Sequence, residues 1–343
     1  MKLFSLFVQE IAIDLGTANT LIIQDGNIVI DEPSIVAIDT RTGQTIAVGT
    51  RAMQMHEKTH QFIKTIRPLK DGVIADFQAA ESMIEGLINM IGTKRRFFTH
   101  LKMVVCIPSG ITEVEKRAVF DSADHVDSKE TFLIFEPMAA ALGIGLDVEE
   151  PVGNMIIDIG GGTTEIAVIA LSGIVTDQSI RTAGDEFTQN IVDYLKRNQN
   201  ILIGERTAEQ IKINVGSALK QLDNPPADYS VSGRDLITGI PRQITINYAE
   251  VAEALDESIS AIEEAILKAL ESTPPELASD IYRTGLYLTG GGALLRGLDK
   301  RISRITKLPV HIADEPLRAV VRGTGIALKN TDRFSFLIDR KRV

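Results

Sequence analysis

Ile156-Ile157-Asp158-Ile159-Gly160-Gly161-Gly162-Thr163-Thr164 is an apolar run that ends in an aspartate and opens into glycines and hydroxyls. The same plan stands 144 residues earlier, in Ile11-Ala12-Ile13-Asp14-Leu15-Gly16-Thr17-Ala18-Asn19-Thr20. The segments downstream of the two runs are also alike. After the first come Leu21-Ile22-Ile23, the turn Asp25-Gly26 and Ile28-Val29-Ile30. After the second come Ile166 to Leu171, the turn Ser172-Gly173 and Ile174-Val175. Both read as strand, tight polar loop, strand, turn, strand. One such match arises easily by chance. Two with matching downstream hairpins point to two related α/β domains facing each other, each lending one loop to a shared cleft.

The remaining chain supports an α/β fold. Met103 to Ile107 is a short strand stopped by Pro108. Glu113 to Asp124 carries a helix-compatible charge pattern, and Phe132 to Phe135 is a strand. Glu136-Pro137 then opens a helix with proline in its first turn. Ala249 to Glu271 reads as the clearest helix, with Val251, Leu255, Ile259, Ile262, Ile266 and Leu270 at helical spacing. Leu286-Tyr287-Leu288 is a strand that runs into Thr289-Gly290-Gly291-Gly292, with a helix expected after it. There is no long linker, so the two halves are expected to interleave.

Composition narrows the function. The chain has 343 residues, enough for about two domains. Lys and Arg total 36 against 46 Asp and Glu, a net charge of -10. That balance argues against nucleic acid as a partner, which calls for a cationic footprint. A single cysteine, Cys106, excludes an internal disulfide and any cysteine-based zinc cluster, and fits a reducing, cytosolic compartment. The longest apolar stretch, Met138 to Leu146, is nine residues, against about 20 for a transmembrane helix. Leu3, Phe4, Leu6 and Phe7 cluster at the N-terminus, which reads as a tail, a first strand or a short peripheral membrane anchor.

Phosphate chains are bound by backbone N–H groups brought close, so the contacting loop needs glycine where a side chain would block approach. Thr17, Asn19, Thr163 and Thr164 add hydroxyl and amide donors. An aspartate at a strand end repels phosphate but holds Mg²⁺ through water. Either loop alone reads more simply as a tight turn; the pair reads as a clamp for a nucleoside triphosphate and its metal. No G-x-x-x-x-G-K-[ST] occurs, and no glycine run completes G-x-G-x-x-G. Gly290-Gly291-Gly292 adds a third glycine-rich candidate for an anion.

Three further motifs carry two readings each. Glu205, Glu209 and Lys212 lie on a helix whose start shows Thr207 and Gln210 in capping-box spacing. They read as a solvated face, or as groups for ribose and base. His56-Glu57-Lys58-Thr59-His60 matches H-E-x-x-H, but Lys58 places a charge inside the motif and no third ligand stands nearby. Lys94-Arg95-Arg96-Phe97-Phe98 is a basic and aromatic cluster on an acidic chain. It suits an anionic membrane interface, or two phenylalanines packed inward under a basic loop.

Eight segments in order resemble the actin and sugar-kinase ATPase superfamily, which includes the heat-shock chaperone ATPases, and within it the MreB family of bacterial actins. They are Ile13 to Thr20, Asp71 to Asp76, Glu136 to Ala141, Asp158 to Glu165, Ala183 to Asp185, Ile203 to Glu209, Val231 to Gly233 and Leu288 to Leu295. The resemblance implies two actin-like lobes, each a mixed sheet flanked by helices, with a nucleotide in the cleft between them. The first lobe would hold residues 1–152 and 318–343, with a small subdomain around 34–70. The second would hold 153–317, with a small subdomain around 185–250.

ATP and Mg²⁺ are the implied cofactors. Asp14 and Asp158 would hold Mg²⁺ through water. Gly16, Thr17, Ala18 and Asn19 would face the phosphates from one lobe, and Gly160, Gly161, Gly162 and Thr163 from the other. Gly184, Glu205, Glu209, Gln210, Ile211 and Lys212, with Gly290, Gly291, Gly292 and Ala293, would cradle ribose, base and α-phosphate. Glu136 would orient the attacking water, with Thr163 assisting and Asp158 beside it.

The family implies ATP-driven antiparallel double filaments on the cytoplasmic face of the inner membrane. They would organise membrane proteins of the wall-elongation machinery and so maintain rod shape. The partners are therefore other copies of the chain, the membrane and those proteins. Leu3, Phe4, Phe7, Phe97 and Phe98 are the implied lipid contacts, and the helix from Glu115 to Val126 the implied contact between paired protofilaments. The rivals on the same core are another actin-family filament protein and a sugar or acetate kinase. No acidic residue in a distinct acceptor motif supports the kinase.

Overall fold

The computed structural model describes residues 8–91, 100–334 and 336–339. Its first large sheet has six strands, in the order Ile338–Asp339, Ser128–Phe135, His100–Ile107, Val8–Leu15, Asn19–Gln24, Asn27–Pro33. Val8–Leu15 pairs antiparallel with Asn19–Gln24 and parallel with His100–Ile107. The second has five, in the order Gly173–Ile180, Thr164–Ala170, Asn154–Ile159, Leu286–Thr289, Val310–Ile312. Here Asn154–Ile159 pairs antiparallel with Thr164–Ala170 and parallel with Leu286–Thr289. The 144-residue echo is thus a repeated three-strand meander whose first strand also takes a parallel neighbour. Smaller sheets complete each half: Thr45–Val48, Val36–Asp39 and Ile63–Ile66 in one, Ile201–Leu202, Tyr229–Asp235 and Pro241–Ile246 in the other.

The turns obey local stereochemistry with one shift. Asp25 and Gly26 both have positive φ, 52° and 82°, the geometry that two-residue hairpins favour. In the second meander the positive-φ pair is Leu171-Ser172, one residue before the Ser172-Gly173 turn expected from sequence. The cause is tertiary. The Leu171 N–H donates to the Glu150 carbonyl at 3.1 Å and the Ser172 N–H to the Val148 carbonyl at 2.7 Å. Those bonds hold two non-glycine residues in a region they otherwise avoid.

Other expectations needed correction. The single helix expected over Ala249 to Glu271 is two helices, Tyr248–Ala254 and Asp256–Ser272. Leu255 joins them and is fully buried. Val251, Leu255 and Ile259 keep one apolar stripe across the join, so periodicity does not register it. The glycine run after Leu286–Thr289 opens a 3-10 turn, Gly291–Leu294, and the α-helix begins only at Leu298. The helix Glu205–Val215 starts at the cap Gly204, not at Thr207. By contrast, Glu113–His125 has a full capping box between Thr112 and Glu115, worth about 1 kcal/mol.

Three large apolar clusters form the core. One packs under each large sheet. The third draws on both: Ala12, Val104 and Ile134 from the first sheet, Ile156, Ala167 and Ile169 from the second. Between them lie the helices Glu136–Gly143 and Ala319–Lys329, reached where the chain leaves the first sheet and where it returns to it. These two helices touch backbone to backbone. A Cβ on Gly143 would overlap the Ala319 carbonyl oxygen, and one on Gly323 the Ala139 carbonyl oxygen. Only glycine permits that approach. No helix among the described residues is long and apolar enough to cross a membrane.

Candidate functional site

The two glycine-rich loops meet at the cleft between the sheets. A Cβ on Gly161 would stand 2.7 Å from the Ala18 Cβ, and one on Gly162 would stand 2.6 Å from the Thr17 Oγ1. Thr17 and Thr163 are buried at this meeting point. The Gly72 N–H donates to the Thr17 Oγ1 at 3.0 Å, bringing the Asp71-Gly72 turn over both loops. Behind the second loop, the Gly184 N–H donates to the Gly160 carbonyl at 3.1 Å and the Asp185 N–H to the Gly161 carbonyl at 2.7 Å. The loop is thereby fastened to the first turn of the helix Gly184–Gln199. Asn19 is exposed at the start of its strand.

Carboxylates line the floor. Asp14 and Asp158 occupy matching places at the ends of the two leading strands, and Glu136 is the first residue of its helix. Thr289 Oγ1 donates to Asp158 Oδ1 at 2.7 Å. Burial, then the charge of Asp158, pushes Asp14 up from 3.8 to about 7. Burial pushes Asp158 up to about 6, against the opposing Thr289 hydrogen bond. Glu136 is held well above the usual carboxylate range by burial and then by Glu165, Asp158 and Asp14. Every charge acting on Asp14 and Glu136 is another carboxylate. Such a set favours a cation. Among the described residues no group of three or more His, Cys, Asp or Glu is close enough to ligate a metal directly. Mg²⁺ kept in its water shell fits this donor set.

These shifts have a sign. The folded site favours protonated Asp14 and Asp158, whereas the unfolded chain ionises near the ordinary 3.8. The ligand-free protein is therefore expected to lose stability as pH rises from about 4 to about 7. Denaturant titrations across that range would measure the slope. The Asp14→Asn variant should lack part of it; an identical slope in that variant would refute the assignment.

The helix Glu205–Val215 presents Glu209 and Lys212 toward the cleft. Lys212 Nζ donates to the Gly184 carbonyl at 2.8 Å, to Thr188 Oγ1 at 3.0 Å and to Glu209 Oε2 at 2.7 Å. Gln210 is exposed, and Ile211 is fully buried in the core of the second half, so its side chain offers nothing to the cleft. Glu205 turns to the other half of the molecule. Arg67 pairs with its Oε1 at 2.6 Å and His56 Nε2 lies 3.3 Å from its Oε2. Gly290 and Gly292 lie against Ile159 with no room for a Cβ, and Ala293 is fully buried.

The H-E-x-x-H residues belong to this crossing. The helix Thr50–Met55 ends before His56, so His56 and His60 share no helix face. Glu57 Oε1 instead accepts the Glu205 N–H at 3.0 Å, capping the helix across the cleft. Sequence reasoning missed this, together with Arg67 and a second crossing formed by Ser109, Glu165 and Ser179. The partners that span the cleft stand 56 to 149 residues apart, and no local pattern links them. Leu3, Phe4, Phe7, the cluster from Lys94 to Phe98 and the tail from 340 lie outside the described residues.

Known proteins share this sequence and fold. The model of the family described as MreB/Mbl protein matches residues 8–335. Mbl of Bacillus subtilis is 47% identical over 329 residues, covering 96% of this chain and 98% of the relative. MreB of Escherichia coli K12 is 48% identical over 336 residues, with 96% of each chain covered. The solved structure of MreB5 of Spiroplasma citri bound to AMPPNP superposes with a TM-score of 0.89 at 38% identity, over 95% of this chain and 97% of that one. A MamK double helical filament matches with a TM-score of 0.76 at 20% identity, which speaks for the fold alone, over 95% of this chain and 99% of that one.

Proposed function

The chain belongs to the MreB/Mbl family, an actin-like α/β fold, and from that premise we propose that it is a cell-shape ATPase that assembles into filaments. The observation that carries the reading is the pair of glycine loops closed over a floor of buried carboxylates that act on one another. A 38% identical relative holds AMPPNP, and its ADP-bound form has been solved too. In this reading ATP lies between the loops. Thr17, Ala18 and Asn19 face its phosphates on one side, and Gly161, Gly162 and Thr163 on the other. Asp14 and Asp158 would hold Mg²⁺ through water, and the ion would supply the positive charge that the phosphates and carboxylates both need. Glu136 takes a proton from the attacking water. Glu209 and Lys212 serve the ribose and base, and Gly290 to Ala293 back the α-phosphate. The two lobes are 1–152 with 318–343, and 153–317.

The filaments are antiparallel pairs lying on the cytoplasmic face of the inner membrane, where they organise wall elongation. The basic, aromatic cluster from Lys94 to Phe98 and the apolar residues Leu3, Phe4 and Phe7 supply the lipid contact. Each copy binds weakly and a filament repeats the contact many times. Mixing the protein with Mg²⁺-ATP and anionic liposomes is expected to give sedimentable paired filaments on the vesicles, visible by electron microscopy. Monomers only, with and without lipid, would overturn the filament reading. Phosphoryl transfer to an added sugar would instead make it a kinase.

A further inference from the structure

Glu165 is a fully buried carboxylate that the proposed reaction does not use. It lies on the strand Thr164–Ala170, and its Cα pairs across the meander with that of Asp158. Its charge is the first that Glu136 feels after burial. Its two oxygens are held from opposite sides of the cleft. Ser179, from the same half, donates its hydroxyl to Oε1 at 2.6 Å. Ser109, in the turn after the strand His100–Ile107 of the other half, donates to Oε2 twice, from Oγ at 2.5 Å and from N–H at 3.2 Å. The neighbouring Gly110 is pressed against Ser179, where a Cβ would stand 3.1 Å from the serine's own Cβ.

The arrangement makes one carboxylate depend on both halves. Opening the cleft at Ser109 withdraws both donors from Oε2. A buried carboxylate oxygen stripped of its donors costs more than the bond was worth, so Glu165 would shift toward other donors or water. Besides Asp177, which acts on it, its charge acts on Asp158 and Glu136, the groups that stand where metal and attacking water belong in this reading. A displacement of Glu165 is therefore felt where the chemistry occurs, whereas the glycine loops that hold the phosphates keep their own backbone bonds.

We propose that Glu165 is a positioning residue for ATP hydrolysis, and that the two hydrogen bonds it accepts from Ser109 make hydrolysis conditional on closure of the two lobes. The proposal rests on reading the cleft as an ATPase site. Ser109 contributes geometry to the step, and loss of its hydroxyl should slow hydrolysis without weakening nucleotide binding.

The test compares Ser109→Ala and Ser109→Thr with the unaltered protein under filament-forming conditions. Three quantities are measured: single-turnover phosphate release, the Kd for a fluorescent ATP analogue, and the thermal midpoint. Ser109→Ala is expected to lower phosphate release five- to tenfold, with Kd within twofold and a midpoint lowered only modestly, since the backbone N–H still donates to Oε2. Ser109→Thr, which restores the hydroxyl, is expected to recover at least half the rate. Glu165→Gln, which keeps an acceptor for Ser109 and removes the charge, should also bind ATP normally but hydrolyse it slowly. Normal phosphate release in Ser109→Ala overturns the proposal and leaves the ATPase reading standing. So does a loss of binding that matches the loss of rate, or a threonine variant no faster than the alanine one. No hydrolysis by the unaltered protein overturns both.

Discussion

Glu136→Ala is expected to slow phosphate release about a hundredfold or more while leaving ATP binding intact. A well-placed general base contributes about 10²–10⁴ in rate. A hundredfold corresponds to about 2.7 kcal/mol of barrier. Glu136 stands first in its helix, where Phe135 ends the preceding strand and Pro137 fixes the first turn. Burial and three neighbouring carboxylates raise its affinity for a proton in the ligand-free protein, and a bound cation would offset them and leave the carboxylate ionised, as a base must be. Because the loops proposed to hold phosphate are separate from Glu136, binding should survive the loss. Quenched-flow phosphate release beside nucleotide titration separates the two effects. An unchanged rate would remove Glu136 from the reaction.

Gly323→Val is expected to cost about 3 kcal/mol or more of stability, at the upper end for overpacked interiors. The new Cβ would meet the Ala139 carbonyl, and backbone cannot swing aside as a side chain does. Gly143→Val should act similarly through the Ala319 carbonyl. Urea titration measures both. The exposed Ile326, on the same helix, serves as a control, since Ile326→Val removes one methylene without touching the crossing. A Gly323→Val variant as stable as that control would show that the helices can part without penalty.

Much of the fold was legible because it is written in local periods. Two apolar runs ending in aspartate, each followed by a hairpin, specify the two meanders, and the structure repeats them strand for strand. What failed locally did so because distant groups intervened. The Leu171-Ser172 turn is held by the Val148 and Glu150 carbonyls, so residue preference placed it one position late. The helix Glu205–Val215 takes a cap from Glu57, which moved its start away from the residues with capping-box spacing. The Gly290 to Gly292 run resembled a helix entry, yet Gly290 and Gly292 are glycines because Ile159 presses on them.

The candidate site was legible in a similar way. Asp14, Asp158 and the two loops are readable from strand ends and glycines, Glu136 only from the family resemblance, and the structure brings them together. Ile211 was named within a contiguous run, although its helical position turns it into the core. Glu205 was named for the nucleotide, although its carboxylate is taken by Arg67 and His56. Residues that act by spanning the cleft, such as Ser109 and Glu165, leave no periodic trace, since their spacing is set by two chain segments that fold separately.

The crossing of Glu136–Gly143 with Ala319–Lys329 bears on motion as well as on stability. Its two tight contacts, at Ala139 with Gly323 and at Gly143 with Ala319, lie one helical turn apart, about 6 Å. Two such seats make the pair one rigid block, since sliding or splaying would break one or the other. Glu136 opens that block, and the block packs against strands of both large sheets. A strain applied at Glu136 is therefore carried along the paired helices to both sheets instead of being absorbed where it arises.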